Sequence, residues 1–99
     1  MYINKEGEYI MNAIISVLGQ DTYGILAKTS TECAKYKANI VEVSQSILKD
    51  YFAMIMVCNI DNLTIDFNSF VDLMEQMGKE NNLKIQVMHE DIFNSMHRI

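Results

Sequence analysis

The chain has no proline, only four glycines and two cysteines, and no apolar stretch of the ~20 residues that a membrane-spanning helix needs. Without proline, and with 49% hydrophobic residues, it has the composition of a folding domain rather than a disordered segment. Basic residues are also scarce: eight Lys and Arg stand against 13 Asp and Glu, for a net charge of -5. They form no stripe, so the clustered cations that neutralise phosphates are missing and nucleic acid is a poor partner. Cys33 and Cys58 fit neither a CxxC pair nor a disulfide framework, which points to reduced, buried thiols in a cytoplasmic protein. The opening MYINKEGEYI has no apolar signal-peptide core and carries Glu6 and Glu8.

Ninety-nine residues make one domain. The polarity of the first ten ends abruptly at Met11, so residues 1–10 read as a polar extension. Residues 11–99 read as the domain itself, including a tail over 91–99.

Residues 12–18 are short, apolar and β-branched, and Gly19 ends them as a strand. From Tyr23 to about Ala38 there is no breaker after Gly24. Leu26, Ser30, Cys33 and Lys37 recur there at helical spacing, with small residues filling much of the inner stripe. Residues 40–48 alternate in part as a half-exposed strand, with Val41, Val43 and Ile47 set against Glu42, Ser44 and Ser46. Lys49, Asp50 and Tyr51 separate them from a strong strand over 52–60, which predicts an antiparallel hairpin. Phe67, Phe70, Val71, Met74 and Met77 form an amphipathic helix with Asp66 as its N-cap. Asn81 and Asn82 are a better stop for it than Gly78. Leu83, Ile85 and Val87 alternate as a last strand, and residues 89–99 return to helical spacing.

The order β-α-β-β-α-β predicts an α+β ferredoxin-like sandwich: a four-stranded antiparallel sheet with two helices on one face. Two strands are nonetheless apolar on both sides. Phe52, Met54, Met56 and Cys58 oppose Ala53, Ile55 and Val57, and Ile14 and Leu18 oppose Ala13, Ile15 and Val17. A sheet wetted on one face does not have that pattern, so the tail, a second subunit or both must cover it.

The stretch GQDTYGIL, residues 19–26, joins the first strand to the first helix. Gly19 and Gly24 have the spacing of a phosphate loop, but Ile25 and Leu26 stand where the Lys and Ser/Thr must be. No GxGxxG is present either. Two readings stay level on the residues alone. The helix N-terminus can meet a carboxylate through its N–H groups, with Gly24 allowing close approach. Alternatively, Asp21 or Thr22 caps the helix and the glycines only shape the turn. His89, Glu90, Asp91 and His97 have ligating side chains, but the histidines are eight apart and match no metal motif, so polar residues closing an edge strand are the better reading. Most of the eight methionines fall at core periodicity. No nucleophile–base motif and no cofactor fingerprint occurs, and no catalytic residue is assigned.

GQDTYGIL after a hydrophobic strand, then ANIVEVSQSIL, the strand in DYFAMIMVCNID and the tail HEDIFNSMHRI resemble the ACT domain. The likeness is to its free-standing single-domain proteins, an uncharacterised family related to the glycine cleavage system transcriptional repressor, and it covers residues 11–99. It implies the ferredoxin-like fold, a homodimer, and a site for a small effector, an amino acid, at the subunit interface. Carried onto this chain, the site comprises Gly19, Asp21, Gly24, Ile25 and Leu26, with Asn39 and Ile40 opposite. The expected function is a non-enzymatic regulatory module that signals to a partner protein, with a ligand-free protein-interaction or dimerisation module as the alternative.

Overall fold

The computed structural model describes residues 2–3, 9–20 and 24–96. Its main body follows the predicted order. Strand β3 (Asn12–Gly19) leads to helix α1 (Ile25–Lys35) and strands β4 (Asn39–Leu48) and β5 (Tyr51–Asn59). Helix α2 (Phe67–Glu80), strand β6 (Lys84–His89) and helix α3 (Glu90–Met96) follow. Ahead of these, β1 (Tyr2–Ile3) and β2 (Tyr9–Ile10) pair with each other in a separate two-stranded ribbon. The sheet of four runs β4-β5-β3-β6, antiparallel throughout, which is the ferredoxin-like order.

One face carries the core. Ala13, Ile15 and Val17 of β3, Met54, Met56 and Cys58 of β5 and Ile85 and Val87 of β6 pack under Ile25 and Cys33 of α1 and Phe70 and Met74 of α2. Helix α2 behaves as its pattern predicts. Asp66 caps it, accepting from the Ser69 backbone N–H at 3.2 Å and the Ser69 hydroxyl at 2.6 Å. It ends in a Schellman turn, with Asn82 left-handed at φ 57 and the Leu83 N–H donating to the Gly78 carbonyl at 2.8 Å. Gly78 is not a weak spot in this helix but its point of closest approach. A Cβ there would stand 2.9 Å from both Ile85 Cγ1 and the Leu83 carbonyl oxygen.

Helix α1 differs from its expected stripe. Its buried positions are Ile25, Thr29 and Cys33, whereas Leu26 is 40% exposed and Ala34 also faces outward. Cys33 is buried as the spacing predicts. The positions before it shift by one, to Ile25 and Thr29 in place of Leu26 and Ser30, because Thr29 fits the interior once its hydroxyl donates to the Ile25 carbonyl at 2.7 Å. The helix also ends earlier than Ala38. Lys37 turns left-handed at φ 61, and the Lys37 and Ala38 N–H groups close on the carbonyls of Ala34 and Cys33.

In β4 the regular alternation breaks at a bulge between Ile40 and Glu42, so Ile40 and Val43 face the core side while Val41 is extra and exposed. The β4–β5 hairpin turns through two residues, Lys49 and Asp50, rather than three, with Lys49 at φ 56.

The second sheet face is covered in part. Helix α3 lies against β3 and β6, and Phe93 and Met96 lean over Ile14, Ile55 and Met88, leaving a cleft of about 430 Å³. Beyond its reach Leu18 and Tyr51 stay 46% and 48% exposed, and Ile55, at its edge, is only partly covered.

Candidate functional site

Gly19, Gly24, Ile25 and Leu26 gather where β3 passes into α1. Gly19 is the last residue of β3 and sits buried against Leu83. Gly24 occupies the N-cap position with φ 69, ψ 7, a left-handed conformation that its missing Cβ permits. Having no side chain, it caps nothing, and its carbonyl accepts from the Lys28 N–H at 2.8 Å. Among the described residues, a Cβ on Gly24 would meet only Lys28 Cε, at 3.9 Å, and Gly24 itself is exposed. Ile25 points into the core and contributes backbone only, while Leu26 presents an apolar side chain beside the turn. Asp21 and Thr22, the alternative caps, lie outside the described residues, as does His97.

Lys28 was not expected here. It lies one turn beyond Gly24, and its ammonium donates to Asn81 Oδ1 at 2.9 Å, while Asn81 Nδ2 donates to the Met77 carbonyl at 2.8 Å. A cation thereby stands beside the mouth of the turn, tied to the end of α2. The i, i+4 relation to Gly24 was visible in the sequence; the partner on α2 was not.

Asn39 and Ile40 lie elsewhere. Asn39 pairs with Asn59, which also pairs with Asn12, whereas Gly19 pairs with Phe52. Seven residues of extended chain, about 24 Å, separate the two ends of the sheet. Helix α1, 11 residues and about 16 Å long, spans the same gap. Within one chain the two halves of the predicted site are therefore apart. At its own end, Asn39 lines a groove of about 650 Å³ with Ser30, Thr31, Lys37 and Asn62. At the other end a cleft of about 520 Å³ lies beside Gly19, lined by Gln20, Tyr51, Asn82 and Lys84. Neither cleft was foreseen, because both depend on which strand ends the sheet brings level.

The His89 cluster binds the tail to the sheet. Asn12 Nδ2 donates to Glu90 Oε1 at 3.3 Å, the Asp91 N–H donates to His89 Nδ1 at 3.3 Å, and the His89 ring meets Phe67 edge-on at 6.2 Å. Among the described residues, no group of three or more His, Cys, Asp or Glu is placed to hold a metal ion. Among them, too, no helix is long and apolar enough to cross a membrane.

A family profile for the ACT domain matches residues 12–88. A UPF0237 protein of Clostridium perfringens is 45% identical over 89 residues, which cover 90% of this chain and all of that one. An ACT domain protein from Streptococcus pneumoniae superposes with a TM-score of 0.76 at 36% identity, covering 86% of this chain and 96% of that chain. A formyltetrahydrofolate deformylase from Pseudomonas syringae superposes with a TM-score of 0.73 at 20% identity, covering 82% of this chain and 28% of the enzyme, a likeness of fold alone.

Proposed function

This chain belongs to the ACT-domain family of regulatory, ligand-binding modules, and on that premise we propose that it is a non-enzymatic sensor. It binds a small effector, an amino acid, at a site shared by two copies in the cytoplasm and passes the bound state to a partner protein. What supports this reading is that Gly19 and Gly24 lie at one end of α1 and β4 and Asn39 at the other.

Strand β4 is an edge of the sheet, and its outer hydrogen-bonding side has no partner strand among the described residues. When two such edges pair antiparallel, Asn39 of one copy arrives at the end where the other carries Gly19 and Gly24. Each dimer then holds two complete sites, and neither copy holds one alone. At each site the backbone around Gly24 and Ile25 takes the ligand carboxylate, with the Lys28 ammonium adding charge. Asp21 takes the ligand ammonium, and the Asn39 amide donates or accepts across the interface.

Thermal-shift measurement against the twenty amino acids tests this directly. A ligand at a hundredfold excess over its Kd stabilises the folded form by about 2.7 kcal/mol. That response disappears in Asn39→Ala and in Gly24→Val, while light scattering still reports a dimer. A flat response to all twenty at millimolar concentration sinks the amino-acid reading.

A second reading is supported by the exposed Leu18 and Tyr51 on the sheet face beyond α3, with Ile55 only partly covered beside them. Here the module docks a protein and needs no ligand. It predicts an unresponsive thermal midpoint and loss of partner binding on removal of residues 91–99.

A further inference from the structure

Cys33 and Cys58, remote in sequence, meet in the core. Cys33 lies on the buried stripe of α1 and Cys58 on the core face of β5, both with no solvent exposure, and their sulfurs are 4.0 Å apart. The two sulfurs face each other inside the apolar core. A disulfide needs them about 2 Å closer. The ligand site uses neither residue.

We propose that Cys33 and Cys58 are a reversible oxidation site, closing to an internal disulfide that staples α1 to the central strand β5. The oxidant is a hydroperoxide. Cys33 sulfur attacks the terminal oxygen and the O–O bond breaks. The alcohol, or water from hydrogen peroxide, leaves with the thiol proton, and Cys33 becomes a sulfenic acid. Cys58 sulfur then attacks Cys33 sulfur, the S–O bond breaks, and water leaves with the second proton. Two thiols have lost two electrons to one peroxide, and a dithiol reverses the reaction by exchange.

The contact between the thiols holds one below its ordinary value and, with burial, pushes the other up. Either sulfur can be the donor, so the order of attack is set by access. Access comes from the helix. Helix α1 buries only three side chains, and its last turn is closed by carbonyl contacts on Cys33 itself, which the Tyr36 and Ala38 N–H groups reach at 3.3 and 2.8 Å. Opening that turn uncovers Cys33, and reclosing it presents the sulfenic acid to Cys58. Because Asn39 follows the same turn, oxidation also fixes the position of that end of α1.

The test uses the full chain under native conditions. Wild-type protein is treated with a small excess of hydrogen peroxide, quenched, denatured and alkylated, with a protein bearing an exposed thiol in the same tube as reference. The expected product is a single chain lighter by two hydrogens, without alkyl label, that yields a Cys33–Cys58 linked peptide; dithiothreitol restores both labels. Urea unfolding of the oxidised chain then gives an unfolding constant lower by a factor on the order of a hundred, because the bond closes the 33–58 loop in the unfolded chain. Two labelled cysteines after the reference thiol is consumed would overturn the proposal. So would oxygen added to either cysteine, a bond between two chains, or an oxidised form no more stable than the reduced one.

Discussion

The two helices on the core face of the sheet are built to different standards. Helix α2 has 14 residues, the Asp66 cap, a Schellman stop and three buried positions, Phe70, Met74 and Gly78, one of which brings its backbone against β6. Helix α1 has 11 residues, a glycine in its N-cap position, and a buried stripe of Ile25, Thr29 and Cys33 that includes a hydroxyl and a thiol. Less apolar surface holds α1 to the sheet, and Gly24 at its N-cap position has no side chain with which to cap it. The contrast separates two tasks. One helix secures the fold, while the other keeps its ends free at the places where ligand recognition is proposed.

The sharpest way to break this comparison is through α2. Phe70 is fully buried and meets Tyr36 edge-on at 6.4 Å. Phe70→Ala is expected to cost about 3–5 kcal/mol in urea unfolding, much of what a domain of this size has. Gly78→Val comes next, at about 1–3 kcal/mol, because the new side chain meets the Leu83 carbonyl as well as Ile85. On α1, Gly24→Ala meets no neighbour closer than 3.9 Å among the described residues and costs about 1 kcal/mol for its left-handed backbone. If Gly24→Ala costs as much as Gly78→Val, then α1 is not the lightly held helix.

The Asp66 cap sets a smaller effect with a definite pH signature. Its hydrogen bonds from Ser69 hold the carboxyl below its ordinary value of 3.8. The folded-state value being depressed, the contribution is complete above that ordinary value and fades as pH falls through the folded one. Asp66→Ala is therefore less stable than wild type at neutral pH and converges on it in acid, as paired thermal melts would register. Smallest of all is removal of residues 1–10. Among the described residues, strands β1 and β2 pair only with each other, and the first tie to the body is at Met11, whose N–H donates to Asp61 at 2.9 Å. The thermal midpoint should barely move, and a large drop would make the ribbon part of the domain.

The same contrast explains what the sequence made legible. Helix α2 was readable to the residue because a stripe of large side chains, a carboxylate cap and an asparagine stop all agree. Helix α1 was readable as a helix and at Cys33, but not in its ends or in the phase of its first turns, since Ala, Ser and Thr sit on either side of a helix with little preference. The strands were legible by alternation, apart from the bulge at Val41, which no local pattern marks. For the site, Gly24 stood out by its place in the turn. That Asn39 lies at the far end of α1, and that Cys33 touches Cys58, depends on strand order and register. Those are set by the whole sheet rather than by neighbouring residues.

One consequence of the strand order concerns synthesis. Strand β3, first of the four, is flanked by β5 and by β6, the last to leave the ribosome, with Ala13 opposite His89. Until residues 84–89 emerge, an apolar strand has one edge free and Gly78 has no β6 to pack against. The nascent chain can fold the β4–β5 hairpin early but cannot close its sheet until nearly the whole of it is made. Truncation a few residues short of His89 would therefore leave an open, apolar strand edge, not a slightly smaller domain.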